Sequence, residues 1–323
     1  MKRLKTILVL LAILMVFAPF AFGVERVVTV GGNNATRPIT DFGINVVDVY
    51  YVDSGSGDDA RAGTTPETCL DTLDAAIGKC TANQGDVIYL LPGHTETEAT
   101  AAASIATMDV AGVTVIGLGE GSLMPTFNLG VADATFTISA ADCRLQGVRI
   151  KSTVADVAVG LTLAATCDGT VVEGCEFRDD AANKEFLVCV SVAAAAHQIK
   201  IIGNDFRTTA AAGTNNAILS AAVTDLEVRD NVVFGKFATG AMLTSGVLTR
   251  GKIIGNKIIN AEAAIAIALN GNTSTGILAN NFLGGTTSMA AALTGDEAIW
   301  CFENYISGAG GASGVISPAV DAD

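Results

Sequence analysis

Aromatic side chains make up only 6% of this 323-residue chain, and tryptophan occurs once. Thick globular layers lean on large rings to fill their interiors, so this shortage points instead to small side chains stacked closely in many short strands. Charged residues are also few, at 16%, while half of the chain is hydrophobic, which excludes disorder for want of core-forming material. Basic residues are the scarcer sign: 19 Lys and Arg against 33 Asp and Glu leave a net charge of -14. Without a cationic footprint to neutralise phosphates, nucleic acid is excluded as a partner. Seven cysteines are present but no Cys-x-x-Cys pair, so a zinc site lacks its usual spacing. In an oxidising compartment one or two disulfides are open to them, with one thiol necessarily left over; the other reading makes them small buried hydrophobes in strands. Glycine is plentiful at 35 residues, yet no glycine-rich phosphate loop opens a helix, and nucleotide binding has no support.

At the N-terminus, Lys2, Arg3 and Lys5 precede the apolar run Ile7–Phe17, and Ala21-Phe22-Gly23 offers small residues where a signal peptidase reads them. Residues 1–23 therefore read as a secretory signal peptide. Pro19 interrupts the run short of the ~20 apolar residues that a membrane span needs. The expectation is export with cleavage, no membrane span in the remaining chain, and a secreted or extracellular location, with a virion surface as the alternative.

A repeat dominates the rest of the sequence. The segments LQGVRI, VEGCEF, IIGNDF, VRDNVV, IIGNKI, ILANNF and CFENYI share one pattern of apolar and small residues. Their fourth positions are Val148, Cys175, Asn204, Asn231, Asn256, Asn280 and Asn304, separated by 27, 29, 27, 25, 24 and 24 residues. A near-constant period in the twenties with internal register is the mark of a solenoid. The runs are too short for helix pairs and lack a leucine consensus, which leaves parallel β-helix coils stacked at the ~4.8 Å strand spacing around one apolar interior. Asn204, Asn231, Asn256, Asn280 and Asn304 then form a structural ladder: asparagine tolerates a left-handed turn, and its amide can bond to its counterparts in the coils on either side.

Upstream, GDVIYLLPGHTE and VAGVTVIGLGEG read as two earlier coils. The spacing of Leu70, Leu73, Ala76 and Ile77 predicts an amphipathic helix over residues 66–81 that caps the open end of the solenoid. The resulting organisation is a signal peptide at 1–23, an extended segment at 24–50, a loop and capping helix at 51–84, and the β-helix at 85–323.

The stretch YVDSGSGDDARAGTTPETCLDTLDAAIGKC followed by GDVIYLLPGHTE resembles the opening of right-handed parallel β-helix proteins of the pectate-lyase-like superfamily. There a Tyr-Val-Asp strand, a Gly/Asp loop, a capping helix and a Gly-Asp-x-Ile-x-x-x-Pro-Gly coil follow in that order. It is similar in particular to uncharacterised β-helix proteins of phages and of environmental, often marine, bacteria. The resemblance implies an all-β fold; the wider superfamily holds pectate lyases, glycoside hydrolases, tailspike depolymerases and noncatalytic adhesins, so it implies fold more strongly than activity.

Aligning the repeats brings Glu176 and Asp205 next to each other on adjacent coils, flanked by Arg178 and Arg207. These four are the catalytic candidates: as the resemblance would require, paired carboxylates could hold Ca²⁺ and an acidic sugar with an arginine as base. Equally, they read as cross-strand ion pairs. Asp53, Asp58 and Asp59, near Glu67 in a glycine-rich loop, are weaker metal candidates, again for Ca²⁺, although their spacing is not that of an EF-hand. His94 and His197 fall in different coils and do not assemble a triad or a two-histidine metal site. Two functions follow. The first is an exported, non-enzymatic scaffold for adhesion, contact with polysaccharide or surface glycan, or self-assembly into a homo-oligomer. The alternative is a lyase or hydrolase acting on acidic polysaccharide. The scaffold is favoured because the charged columns turn to Val232 and Phe234 in the next coil, and coils this short leave little room for groove walls.

Overall fold

The structure is a computed structural model that describes residues 27–28, 37–38, 47–100, 104–208, 214–262, 265–269, 274–285, 293–294, 299–308 and 314–316. The expected signal peptide at 1–23 lies outside the described residues. Two units divide the chain, residues 1–46 and 47–323. In the first, Val27–Val28 pairs antiparallel with Arg37–Pro38.

The second unit is a parallel β-helix, all-β apart from short helical turns. Its first sheet has ten strands, from Val49–Val52 and Val87–Leu90 through Lys200–Ile202 and Glu227–Arg229 to Ile299–Phe302. A second ten-stranded sheet runs from Thr95–Glu98 through Glu176–Asp179 and Asp205–Arg207 to Asn304–Gly308, with Gly314–Ile316 added antiparallel at its end. An eight-stranded third sheet, from Ser104–Met108 to Leu293–Thr294, closes each coil.

Strands form here because apolar and polar residues alternate with period two, as in Thr135–Ile138 (TFTI), where Phe136 and Ile138 are buried. Inward positions of neighbouring coils stack into one continuous core, and the rings of Phe177 and Phe206 lie parallel with centroids 4.7 Å apart.

Two departures from the sequence reading concern the N-terminal side. The first sheet begins at Val49 rather than near Gly85, since Val49–Val52 pairs in parallel with Val87–Leu90. The long segment between those strands takes the first one off the repeat period. The helix expected over residues 66–81 is instead a 3₁₀ turn, Pro66–Thr68, and a five-residue α-helix, Leu73–Ile77. Asp59 holds the break between them by accepting the Asp71 and Thr72 N–H groups at 2.8 and 2.9 Å. Leu73, Ala76 and Ile77 still bury their side chains against the core.

The turn between the first and second sheets carries the asparagine ladder, and here one member changes. In each coil a left-handed residue comes first: Gly203 at φ +62°, Asp230 at +58°, Gly255 at +69°, Asn280 at +55° and Glu303 at +53°. The next residue points inward and builds the ladder, which therefore runs through Asn204, Asn231, Asn256, Asn281 and Asn304. Asn280 is exposed and does not belong to it; strand pairing sets Ile253 opposite Leu278, which places Asn256 beside Asn281. Each ladder amide before Asn304 is satisfied on both sides, and Asn304 bonds back to Asn281 and Leu278. Asn256 Oδ1 accepts from Asn231 N–H at 3.0 Å and Asn231 Nδ2 at 2.9 Å, while its Nδ2 donates to Val228 O at 2.9 Å and Asn281 Oδ1 at 3.0 Å.

Candidate functional site

The outer face of the second sheet brings together the four charged residues singled out by the repeat. Arg149, Glu176 and Asp205 are strand partners in register, as are Lys151, Arg178 and Arg207. Outward positions two residues apart on one strand and opposite positions on the next lie within reach of long side chains, so an alternating chain of charges forms. Arg149 Nε donates to Glu176 Oε2 at 2.8 Å, and Arg178 Nε donates to the same oxygen at 3.1 Å. Arg178 also reaches Asp205 Oδ2 at 3.4 Å, and Arg207 Nε donates to both oxygens of Asp205 at 2.9 and 3.0 Å. The lattice continues to Asp180, which pairs with Lys151 and Lys184.

The electrostatics follow from this pairing. Burial pushes the Glu176 carboxyl up, but hydrogen bonds from Arg178 and Arg149 outweigh it and hold it below its ordinary value. The hydrogen bond to Asp205 raises the Arg207 guanidinium further above its usual range. Proton-transfer catalysis demands the reverse: an acid raised toward neutral pH and a base lowered toward it. In the next coil the two columns turn to Val232 and the exposed Phe234, ending the charged strip.

The aspartates of the N-terminal loop are engaged in turns. Asp53 Oδ1 accepts Gly55 N–H at 3.1 Å and its Oδ2 accepts the Ser56 hydroxyl at 2.7 Å; Asp58 Oδ1 accepts Ala60 N–H at 2.9 Å; Asp59 also accepts the Thr72 hydroxyl at 2.9 Å. Among the described residues, no three His, Cys, Asp or Glu side chains converge where they could hold a metal ion. Asp53, Asp58 and Asp59 thus act as turn and helix-cap acceptors, the role for which short carboxylates near backbone N–H groups are suited.

His94 is fully buried. Its Nδ1 accepts Ser54 N–H at 3.0 Å, which leaves the ring proton on Nε2, 2.9 Å from Glu96 Oε1; that oxygen in turn accepts Leu73 N–H at 2.7 Å. Asp86 is likewise buried, accepting Asp48 N–H and Thr81 N–H at 2.8 Å each. Glu96 and Asp86 escaped the sequence reading, although the Gly-Asp and Pro-Gly-His-Thr-Glu runs contain both. These residues tie the N-terminal loop and the short helix to the first coils. His197 is exposed, and its N–H donates to Asp168 Oδ1 at 2.7 Å. All seven cysteines are free; burial pushes the Cys175 thiol up to about 12 and the Cys143 thiol to about 11.

On the outer face of the first sheet, Lys252, Ile277 and Trp300 are consecutive strand partners. They border a concavity of about 360 Å³ together with Arg250 and Thr275. Exposed aromatics gather in these last coils: Phe282, Trp300, Phe302 and Tyr305.

The family whose sequence pattern matches is described as periplasmic copper-binding protein (NosD), over residues 130–310. Among solved structures, the chain is similar to the GH136 lacto-N-biosidase from Eubacterium ramulus, with TM-score 0.52 and 12% identity over 80% of this chain; it spans 56% of that chain. It is also similar to pectate lyase Pel9A, with TM-score 0.51 and 12% identity, covering 87% of this chain and 82% of that one. At such identities the likeness is one of fold. No curated protein matches the chain. With more than half of its residues matched and its coils stacked in parallel sheets, the chain belongs to the NosD family of right-handed β-helix proteins.

Proposed function

We propose that the protein is an exported, non-enzymatic β-helix scaffold that works outside the cytoplasm and contacts glycans through the outer faces of its coils. The observation that carries this reading is the closed ion-pair chain Arg149–Glu176–Arg178–Asp205–Arg207. Every carboxylate in it already faces two guanidinium groups, which leaves neither a vacant Ca²⁺ ligand pair nor a neutral base. The periplasmic description of the family and the basic and apolar N-terminal segment both support export. Among the described residues no helix is long and apolar enough to cross a membrane. Two neighbours of the same fold carry the names of carbohydrate-active enzymes, and the exposed aromatics of the last coils offer the flat apolar faces that sugar rings stack against.

The family description also implies copper, and the described donors do not fit it. Copper sites draw on imidazole, thiolate and thioether groups. Both ring nitrogens of His94 are in use, burial pushes the Cys143, Cys167, Cys175 and Cys189 thiols up, and Met108, Met124 and Met242 are buried. Among the described residues no three His, Cys, Asp or Glu side chains converge at the exposed His197 or elsewhere.

The test is co-sedimentation of the purified exported chain with insoluble polysaccharides, acidic and neutral. Retention on at least one class supports the scaffold reading, and failure to bind any of them overturns it.

A further inference from the structure

We propose that the concavity beside Trp300 is a binding subsite for a uronate unit of an acidic glycan. The inference rests on the glycan-contact reading above and gives it a place and a ligand class.

Trp300 is 76% exposed, the most exposed large hydrophobic side chain described. Exposing an indole to this degree forgoes a large part of its burial free energy, which points to a ligand that covers it. In line with it on the two preceding strands stand Ile277 and Lys252, at the ~4.8 Å strand spacing, so an ammonium and an indole face share one apolar floor about two strands apart. Arg250 and Thr275 form the opposite border, and Gly251 and Gly276 lie between the two borders. Gly276 sits at φ +147°, and a Cβ there would approach the Gly251 carbonyl oxygen to 2.1 Å, so only glycine lets these two strands meet beneath the concavity. The volume, about 360 Å³, falls within the range of small-ligand sites.

Among the described residues the lining of the site is cationic, opposite in sign to the chain's net charge of -14, and holds no carboxylate. The nearest described acids are already taken. Asp225 is held by both Nε and an NH₂ group of Arg250, at 2.8 and 2.5 Å, and Glu227, the strand partner of Lys252, accepts from Arg229 at 2.7 Å. Among the described residues Lys252 has no ion-pair partner of its own. A neutral sugar would stack on the indole and leave the ammonium unanswered; a small inorganic anion would answer the ammonium and leave the indole bare. A pyranose carrying a carboxylate satisfies both.

Because Trp300 is the only tryptophan, its fluorescence reports on this site alone. Titration with oligogalacturonate should shift the emission saturably, and added salt should weaken the effect. Lys252→Gln should raise the Kd at least tenfold with its melting temperature unchanged, and Trp300→Ala should lose co-sedimentation with polygalacturonate. Polygalacturonate binding with unchanged Trp300 emission and with Trp300→Ala binding normally would overturn the subsite and leave the glycan reading standing. Binding of no polysaccharide would sink both. An equal response to polyglutamate would reduce the site to charge attraction and refute sugar recognition. An emission shift driven by protein concentration alone would assign the surface to a second copy of the chain and refute the subsite.

Discussion

Replacing Asn256 by leucine in the middle of the ladder should destabilise the protein by stranding a buried backbone N–H. Leucine keeps much of the volume and removes all four side-chain hydrogen bonds. Three of the partners retain a second bond: Asn231 Nδ2 still donates to Ile201 O at 2.9 Å, Asn281 Oδ1 still accepts Asn256 N–H at 3.0 Å, and Val228 O stays in the strand ladder between Glu227–Arg229 and Gly251–Ile254. The fourth, Asn231 N–H, is left unpaired in a buried turn. At ~1–3 kcal/mol for a buried group without a partner, the loss comes to about 1–3 kcal/mol. With a shift of about 2 °C per kcal/mol for larger domains, the melting temperature should fall by about 2–6 °C. Asn280→Gly is the matched control, since glycine adopts φ +55° freely at this exposed position; it should stay within about 0.5 kcal/mol. Thermal and urea unfolding by circular dichroism read the global effect. Stacked repeats can open locally, so hydrogen exchange at Asn231 N–H reads the local one. Equal melting of Asn256→Leu and wild type, with the Asn231 amide still protected, would refute the ladder energetics.

The charged strip makes a pH prediction. Glu176 is held below its ordinary value of 4.5, so its contribution to stability is complete above that value and disappears as pH falls through the lower folded value. Glu176→Gln should therefore cost up to about 1 kcal/mol at pH 7 and nothing in strong acid, measured by urea unfolding across pH; a constant difference would contradict the pairing. Thiol labelling at pH 8 should leave Cys143, Cys167 and Cys175 untouched in the native protein and modify all seven cysteines in denaturant, because burial raises these three to about 11, 11 and 12. Rapid native labelling of any of the three, read by mass spectrometry, would show the core to be open. Glu185 buries Oε2 without a hydrogen-bond partner among the described residues, so Glu185→Met should be neutral or stabilising in the same unfolding assay; a loss above about 1 kcal/mol would contradict that.

Much of this architecture is legible in the sequence because a solenoid repeats its own solution. The period, the strand pairing of Glu176 with Asp205 and four of the five ladder residues follow from counting. The slip at Asn280 has a local cause: Asn-Asn presents two residues of one type, one suited to the left-handed position and one to the ladder. Strand pairing decides between them, since Ile253 opposite Leu278 sets Asn281 beside Asn256 and leaves Asn280 in the left-handed position that Asp230 and Glu303 also hold. Once the register is corrected, the column four residues before the ladder reads Lys252, Ile277, Trp300, and the concavity emerges from it. The repeat count misses Val49–Val52 because its loop and helix displace it from the period, although the resemblance marks a Tyr-Val-Asp strand there. Arg149 falls in one column with Glu176 by counting, and only the hydrogen bond between them needed side-chain geometry.

The central claim, that this β-helix holds glycan without cutting it, is tested most directly by prolonged incubation with polygalacturonate, with and without Ca²⁺. Chain length, reducing ends and the absorbance of unsaturated products are then read for wild type, Asp205→Asn and Arg207→Ala. The account predicts polymer of unchanged length in every case, with wild-type protein bound to it. Cleavage by the wild type that both substitutions abolish while thermal stability is retained would contradict it and make the Glu176–Asp205 strip a catalytic site.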